Sequence, residues 1–272
     1  MSSRQILGFC SVSALDRSLV DAARMAVDAG CDGLEVTARP PHLDPAGSLA
    51  AIADQGRAVR DTGVEVLTYG SYFGRERPLS AADALRAAEI AEALGAPLLR
   101  VWAECGPEED AKETIRHLQL VCDASADRGV TVVVERHQGS LADTPERVEV
   151  LLAGVDRANF ALNYQVLDLL PQAEISHQPD DAARLVRHAR YFHLKNYQLK
   201  VEGQGLLLPG GSLEKGVLDY RALLHAALDA GYTGPMTIEF LSFDERPLEE
   251  RLASDVAWVR GVLEDWATAN SR

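Results

Sequence analysis

Glu135, Asn163, His193 and Glu239 each end, or nearly end, a short apolar run. The runs are Val132-Val133-Val134-Glu135-Arg136-His137, Phe160-Ala161-Leu162-Asn163, Tyr191-Phe192-His193-Leu194-Lys195 and Pro235-Met236-Thr237-Ile238-Glu239-Phe240. Such runs suit strands covered on both faces, and polar groups at their C-terminal ends sit where a barrel or open sheet presents its chemistry. Two carboxylates, one imidazole and one amide oxygen form an oxygen-rich set with a single nitrogen donor. That set suits one Mn²⁺, Mg²⁺ or Co²⁺ ion and is acceptable to Zn²⁺. An ion held there can chelate the carbonyl and adjacent hydroxyl of a sugar and stabilise the enediolate left when an α-proton departs. Glu135 and Glu239, on either side of it, can bind the ion and also move protons. A lone strand-end glutamate is more often an ion-pair partner or helix cap, and a lone histidine more often a core residue; the convergence of three such ends favours a site.

The elements that must position these residues alternate along the chain. Strands are expected to start near residues 6, 33, 65, 98, 131, 160, 191 and 235, a spacing of roughly thirty residues that fits one βα unit each. Helices are expected over about 15–29, through Ile52 and Val59 to about 63, then 80–94 and 108–128. Others follow from Thr144-Pro145, over 182–188, 220–230 and 248–266, and residues 197–218 form a longer excursion. Ser80 and Thr144 are placed as N-caps, while Gly95, Gly129 and Gly231 lie just past helix ends. Eight successive units with no composition shift point to an α/β fold, a closed (β/α)8 TIM barrel spanning residues 1–272 as a single domain. A doubly wound sheet is the minority reading, because no glycine-rich dinucleotide fingerprint follows the first strand.

Side chains alternate along a strand, so Val133, Glu135 and His137 share a face, as do Asn163 with Gln165, His193 with Lys195 and Arg100 with Trp102. Glu35 tops the second strand. His137, Trp102, Arg100, Lys195 and Gln165 are therefore the expected substrate contacts around the four ligands, and Tyr69 at the end of the third strand is counted with them. Cys105, His42, His117, His177, His188 and His225 lack such context and are read as structural or surface residues. Gly210-Gly211-Ser212 can cradle a phosphate through its amides, but a plain loop is the simpler reading.

Composition limits the partners. Lys+Arg 27 against Asp+Glu 41 gives a formal charge of −14, opposite in sign to a protein that grips nucleic acid or anionic membrane. Cys10, Cys31, Cys105 and Cys122 are scattered without C-x-x-C spacing, which argues for reduced thiols. There is no apolar run of about 18 residues and no signal-peptide pattern at the start, so a soluble cytoplasmic protein is expected. The expected partner is a small carbohydrate or polyhydroxy keto acid, and a homo-oligomer is compatible with the sequence.

Val134-Glu135-Arg136-His137, Phe192-His193-Leu194-Lys195-Asn196 and Gly231-Tyr232-Thr233-Gly234-Pro235-Met236-Thr237-Ile238-Glu239 resemble three segments of the xylose isomerase-like TIM-barrel superfamily. They look like its strand-five E-N-H, with Arg136 at the middle position, its strand-seven H-x-K-D, with Asn196 at the last, and its strand-eight G-Y-x-G-x-x-x-x-E. Tyr69-Gly70-Ser71-Tyr72 is also similar, and the resemblance covers essentially the whole chain. It implies that Glu135, His193 and Glu239 are metal ligands, with the two glutamates as the acid/base pair. Asn163 stands where the family usually has an aspartate, and the histidine that commonly follows is absent. This removes one negative charge from the ligand set. The implied activity is a sugar isomerase or epimerase working by enediolate proton transfer. The alternatives are a lyase or dehydratase on the same fold, such as a 3-dehydroshikimate dehydratase-like or keto-sugar lyase enzyme, and a catalytically silent partner subunit. The superfamily's DNA-repair branch is rejected, since it needs a histidine-rich zinc cluster and a basic face.

Overall fold

A computed structural model describes residues 4–75, 79–104, 111–167, 172–199 and 207–270. Eight parallel strands close into a barrel: β1 (Leu7–Cys10), β2 (Gly33–Thr37), β3 (Glu65–Gly70), β4 (Leu98–Val101), β5 (Thr131–Glu135), β6 (Phe160–Tyr164), β7 (Ala189–Leu194) and β10 (Met236–Ile238). Their order around the barrel is β1-β10-β7-β6-β5-β4-β3-β2. Among the described residues two further strands, β8 (Asn196–Leu199) and β9 (Leu207–Gly211), pair antiparallel. The flanking helices are α1 (Leu19–Asp28), α2 (Leu49–Arg60), α3 (Ala81–Leu94), α4 (Ala111–Ala126), α5 (Pro145–Val155), α6 (Gln178–Leu185), α7 (Tyr220–Asp229) and α8 (Leu248–Ala269).

Local chemistry sets most of the boundaries. Ser80 and Asp83 form a reciprocal capping box at the start of α3, and Gly95 ends it in the left-handed conformation at φ 73°. Thr144 caps α5 with Pro145 in its first turn. α1 begins at Leu19, later than the apolar spacing suggests, because Ser18 supplies the cap and Ser11–Ala14 winds into a 3₁₀ turn instead. The Ser11 hydroxyl in that turn accepts the Thr37 backbone N–H at 3.0 Å, tying the ends of β1 and β2 together. The expected helix over 182–188 is likewise split into α6 and a 3₁₀ turn over Val186–His188. Cys105, with the rest of 105–110, lies outside the described residues.

The excursion after β7 is a hairpin rather than a plain loop. Gly210 and Gly211 belong to β9, with Gly211 paired to Asn196. The Asn196 side chain holds the hairpin base: its amide donates to Leu213 O (3.2 Å) and Leu218 O (3.0 Å), and its oxygen accepts from Tyr197 N (2.7 Å) and Leu218 N (3.1 Å). All four bonding positions of a buried amide are thereby used.

Two apolar layers surround the strands. The larger lies between barrel and helices, and a small one of Leu98, Val133, Ala161 and Tyr191 fills the barrel interior. A bulge between β2 and β3 leaves Leu67 unpaired and turned inward, where it fills the space left by Gly33; a Cβ on Gly33 would lie 2.7 Å from its methyl carbons. Outside the barrel, Arg136 pins the end of β5. It is buried, forms an ion pair with Asp181, donates to Asp143 O (3.0 Å) and Gln178 Oε1 (3.3 Å), and lies 5.4 Å from the Tyr164 ring centroid.

Arg136→Ala strips Asp181 and these acceptors of their partner at once. We expect a loss of about 3 kcal/mol in urea unfolding; an unchanged midpoint would show that Arg136 does not anchor β5 to α6.

Candidate active site

The C-terminal ends of the eight strands bring one inward residue each to a single buried ring. Cys10 comes from β1, Glu35 from β2, Gly70 from β3, Arg100 from β4, Glu135 from β5, Asn163 from β6, His193 from β7 and Glu239 from the residue after β10. The pairing aligns neighbours directly: Cys10 opposes Glu35, Gly70 opposes Arg100, and Glu135 opposes Asn163. Gly70 is required for space. A Cβ there would press on the Glu35 carboxylate and lie 2.9 Å from Arg100 Nη2.

Glu35 is the hub of the ring. Its Oε1 accepts from Arg100 Nε at 3.0 Å and its Oε2 lies 2.7 Å from His193 Nε2, all three side chains being buried. Burial pushes the Glu35 carboxyl up, but the neighbouring His193 and Arg100 charges together outweigh it and hold the group at about 2. Arg100 also forms an ion pair with Glu135, and both carboxylates keep its guanidinium charged against the cost of burial. Burial works against the charged His193 ring, yet Glu35 and Glu239 raise its pKa above the ordinary value.

The contact with Glu35 also orients the imidazole. A neutral ring that donates Nε2–H to Glu35 turns the Nδ1 lone pair towards Asn163 Nδ2 at 3.3 Å and Glu239 Oε1 at 3.4 Å. Glu239 Oε2 lies 3.3 Å from Lys195 Nζ, and Glu135 Oε1 accepts from Gln165 Nε2 at 2.8 Å. Lys195 is set by its backbone N–H, which donates to the Tyr220 hydroxyl at 3.1 Å.

Glu135, His193 and Glu239 offer ligand atoms that all lie within 4.8 Å of one another. Asn163 Oδ1 is buried beside them with no hydrogen-bond donor among the described residues. Carboxylates, one imidazole nitrogen and an orphaned amide oxygen fit a divalent cation, so the residues present pass the chemical test for one.

A model of the family described as "Xylose isomerase-like TIM barrel" matches residues 23–262. The chain belongs to this family. No curated protein matches it by sequence. Among solved structures, a xylose isomerase-like TIM barrel protein from Mycobacterium smegmatis in complex with magnesium superposes with TM-score 0.73 at 16% identity, covering 97% of this chain and 98% of that one. An L-ribulose 3-epimerase gives 0.73 at 18% identity over 97% and 96%. The probable 3-DHS dehydratase AsbF of Bacillus anthracis gives 0.67 at 16% identity over 98% and 100%. At these identities the likeness is one of fold, the fold shared by this xylose isomerase-like barrel.

Of the residues expected at the site, Glu135, Asn163, His193, Glu239, Arg100, Lys195 and Gln165 meet in the ring. There Arg100 meets Glu35 and Glu135, Gln165 meets Glu135, and Lys195 meets Glu239. Trp102 and His137 stand above, their rings 5.0 Å apart and edge-on, and Tyr72 stacks on Trp102 at 6.1 Å. Arg75 lies 4.5 Å from the Trp102 ring and Arg39 4.6 Å from the Tyr72 ring, which makes a cationic, aromatic wall. Tyr69 is not brought to the ring; it points into the strand–helix layer beside Arg86, Ala87 and Ile90. His42 and His117 are buried away from the ring and His177 is exposed. Sequence reasoning left Glu35 and Cys10 out of the ligand and substrate sets. The available signal for Glu35 was Gly33-Leu34-Glu35-Val36, the same strand-end carboxylate pattern as at Glu135.

Gly70→Ala should crowd Glu35 and Arg100 and cost roughly 1–3 kcal/mol in thermal or chemical unfolding. Wild-type stability in that variant would show that the ring tolerates a displaced guanidinium.

Proposed function

We propose that this ring is a divalent-metal-dependent isomerase or epimerase site for a sugar or similar polyhydroxy carbonyl compound. The observation that carries the reading is the mutual approach of Glu135, His193 and Glu239 within 4.8 Å in a buried ring at the strand C-termini. Glu135, Asn163, His193 and Glu239 would hold the ion. Bound there, it supplies Lewis-acid stabilisation of the negative charge that develops on the substrate oxygens.

The chain's own groups account for the proton movement. Glu135 and Glu239 come from β5 and β10, separated around the barrel by β6 and β7. Carboxylates on two sides of one substrate carbon can remove a proton from one face and return it to the other, as an epimerisation requires. Gln165 and Arg100 fix Glu135 in place, while Lys195 balances the charge on Glu239. The Trp102, His137 and Tyr72 wall, backed by Arg75 and Arg39, would shield the chemistry from water. The Lys195 ammonium 3.3 Å from Glu239 favours a second reading, a lyase or dehydratase, because the same group can donate a proton to a departing hydroxyl.

Three outcomes test these readings. Incubation with a panel of keto-sugars in D₂O should place deuterium on the carbon next to the carbonyl while the product stays an isomer of the substrate. An ultraviolet chromophore from an unsaturated carbonyl would establish the lyase instead, and no exchange with any sugar would leave a silent partner subunit. His193→Ala should remove most of the divalent metal by elemental analysis, and retained metal would remove His193 from the ligand set. The pH profile follows from the raised pKa of His193. A proton competes with the ion for the ring below that raised value, so Mn²⁺ affinity should be full above it. The affinity should fall as pH drops through it, starting above the ordinary histidine value of about 6.5. A flat profile would refute the imidazole's role.

A further inference from the structure

His193 has two faces, and both meet potential ligands. On the Nδ1 side stand Glu239 and Asn163; on the Nε2 side stands Glu35, at 2.7 Å, whose neighbour across β1 and β2 is Cys10. Cys10 Sγ, a Glu35 oxygen and a His193 ring nitrogen all lie within 4.8 Å of one another, and the three residues are completely buried. The reading above uses none of the Cys10 chemistry. A thiolate with an imidazole and one carboxylate is a soft donor set that suits Zn²⁺ or Cd²⁺ and serves Mg²⁺ or Mn²⁺ poorly.

We propose that Cys10, Glu35 and His193 form a second metal pocket, selective for thiophilic divalent ions, back to back with the oxygen-rich one. His193 belongs to both. A neutral imidazole carries one N–H, so its lone pair faces only one pocket at a time. With Nε2–H donated to Glu35, Nδ1 serves the oxygen-rich pocket. Filling the thiophilic pocket requires the other tautomer, in which Nε2 binds the ion and Nδ1–H faces Glu239 Oε1. Above the raised pKa of His193, where the ring is neutral, the imidazole loses Nε2–H and gains Nδ1–H, while the Cys10 thiol gives its proton to solvent. One proton is therefore released per ion. Before the ion arrives, burial and the Glu35 and Glu239 charges keep Cys10 protonated, so the ion's own charge is what creates the thiolate. Sharing of His193 between the two pockets rests on the proposed function; the thiophilic pocket itself does not. A thiophilic ion would then inhibit by withdrawing His193 from the oxygen-rich pocket.

The experiment is a Cd²⁺ titration of the metal-free full chain, following the ultraviolet thiolate-to-cadmium absorption and proton release in weak buffer. We expect saturation at one ion per chain with about one proton released. The band should vanish in Cys10→Ser and Cys10→Ala, with Cd²⁺ affinity falling roughly tenfold or more. Circular dichroism checks that both variants fold, and Cys10→Ser changes little beyond the sulfur. No band in the wild type, or a band that survives in both Cys10 variants, overturns the proposal; a surviving band would come from another cysteine. One equivalent of Cd²⁺ should also weaken Mn²⁺ binding roughly tenfold or more, read from the spin resonance of free Mn²⁺. Undiminished Mn²⁺ binding would overturn the sharing of His193. A wild type that binds no Mn²⁺ but shows the Cys10-dependent band would sink the proposed function and support this pocket.

Discussion

Glu35 is a carboxylate with no exposed surface, and its charge survives chiefly because His193 and Arg100 reach it. His193 Nε2 lies 2.7 Å from one oxygen and Arg100 Nε 3.0 Å from the other. Desolvation alone would drive such a group neutral, yet it is held at about 2. Each partner depends in turn on a further carboxylate, Arg100 on Glu135 and His193 on Glu239. Truncating any one member would leave an uncompensated buried charge, a loss of about 3–5 kcal/mol by general experience with such pairs. The ring therefore stands or falls as a unit, and the bare Cα of Gly70 is what gives it room.

The same network sets how strongly the ring attracts a cation. Glu35, Glu135 and Glu239 face Arg100 and Lys195, so with a neutral His193 the cluster carries one net negative charge. An aspartate in place of Asn163 would add another. Two unit charges 4 Å apart are worth about 4 kcal/mol at the effective dielectric constant of a protein surface. Under the proposed function, Asn163 trades metal affinity for a centre that would keep more of the ion's positive charge available to a developing enediolate. In that light the amide is a setting of the Lewis acid and not a defect of the site, provided the proposed function holds.

Much of the fold was legible because barrel strands and helices obey different periods. Eight apolar runs spaced by roughly thirty residues announced the units, and caps such as Ser80 and Thr144 fixed helix starts from the sequence. What stayed hidden was long-range. The bulge at Leu67 depends on the space left by Gly33, the β8–β9 hairpin on the buried side chain of Asn196, and the late start of α1 on the Ser18 cap winning over apolar spacing. Within the site, parity along strands placed Arg100 with Trp102 and His193 with Lys195, but it could not show that Arg100 bridges Glu35 and Glu135. That fact belongs to strands 65 and 35 residues apart in sequence. Tyr69, expected as a substrate contact, faces away because its neighbour Gly70 is the residue of that strand turned to the ring.

The two glutamates, alike in sequence, are made unlike by their neighbours. Both oxygens of Glu135 are engaged, one by Gln165 and one by Arg100, and its side chain is almost wholly buried. Glu239 sits at the rim, 6% exposed, with one oxygen towards His193 and the other towards Lys195. A carboxylate locked by two donors is a rigid ligand, whereas one balanced by a flexible ammonium can move with its proton. Under the proposed function both carboxylates move protons, Glu135 from a fixed position, and the Glu239–Lys195 pair is the adaptable half that decides whether the proton returns to carbon or goes to a leaving oxygen.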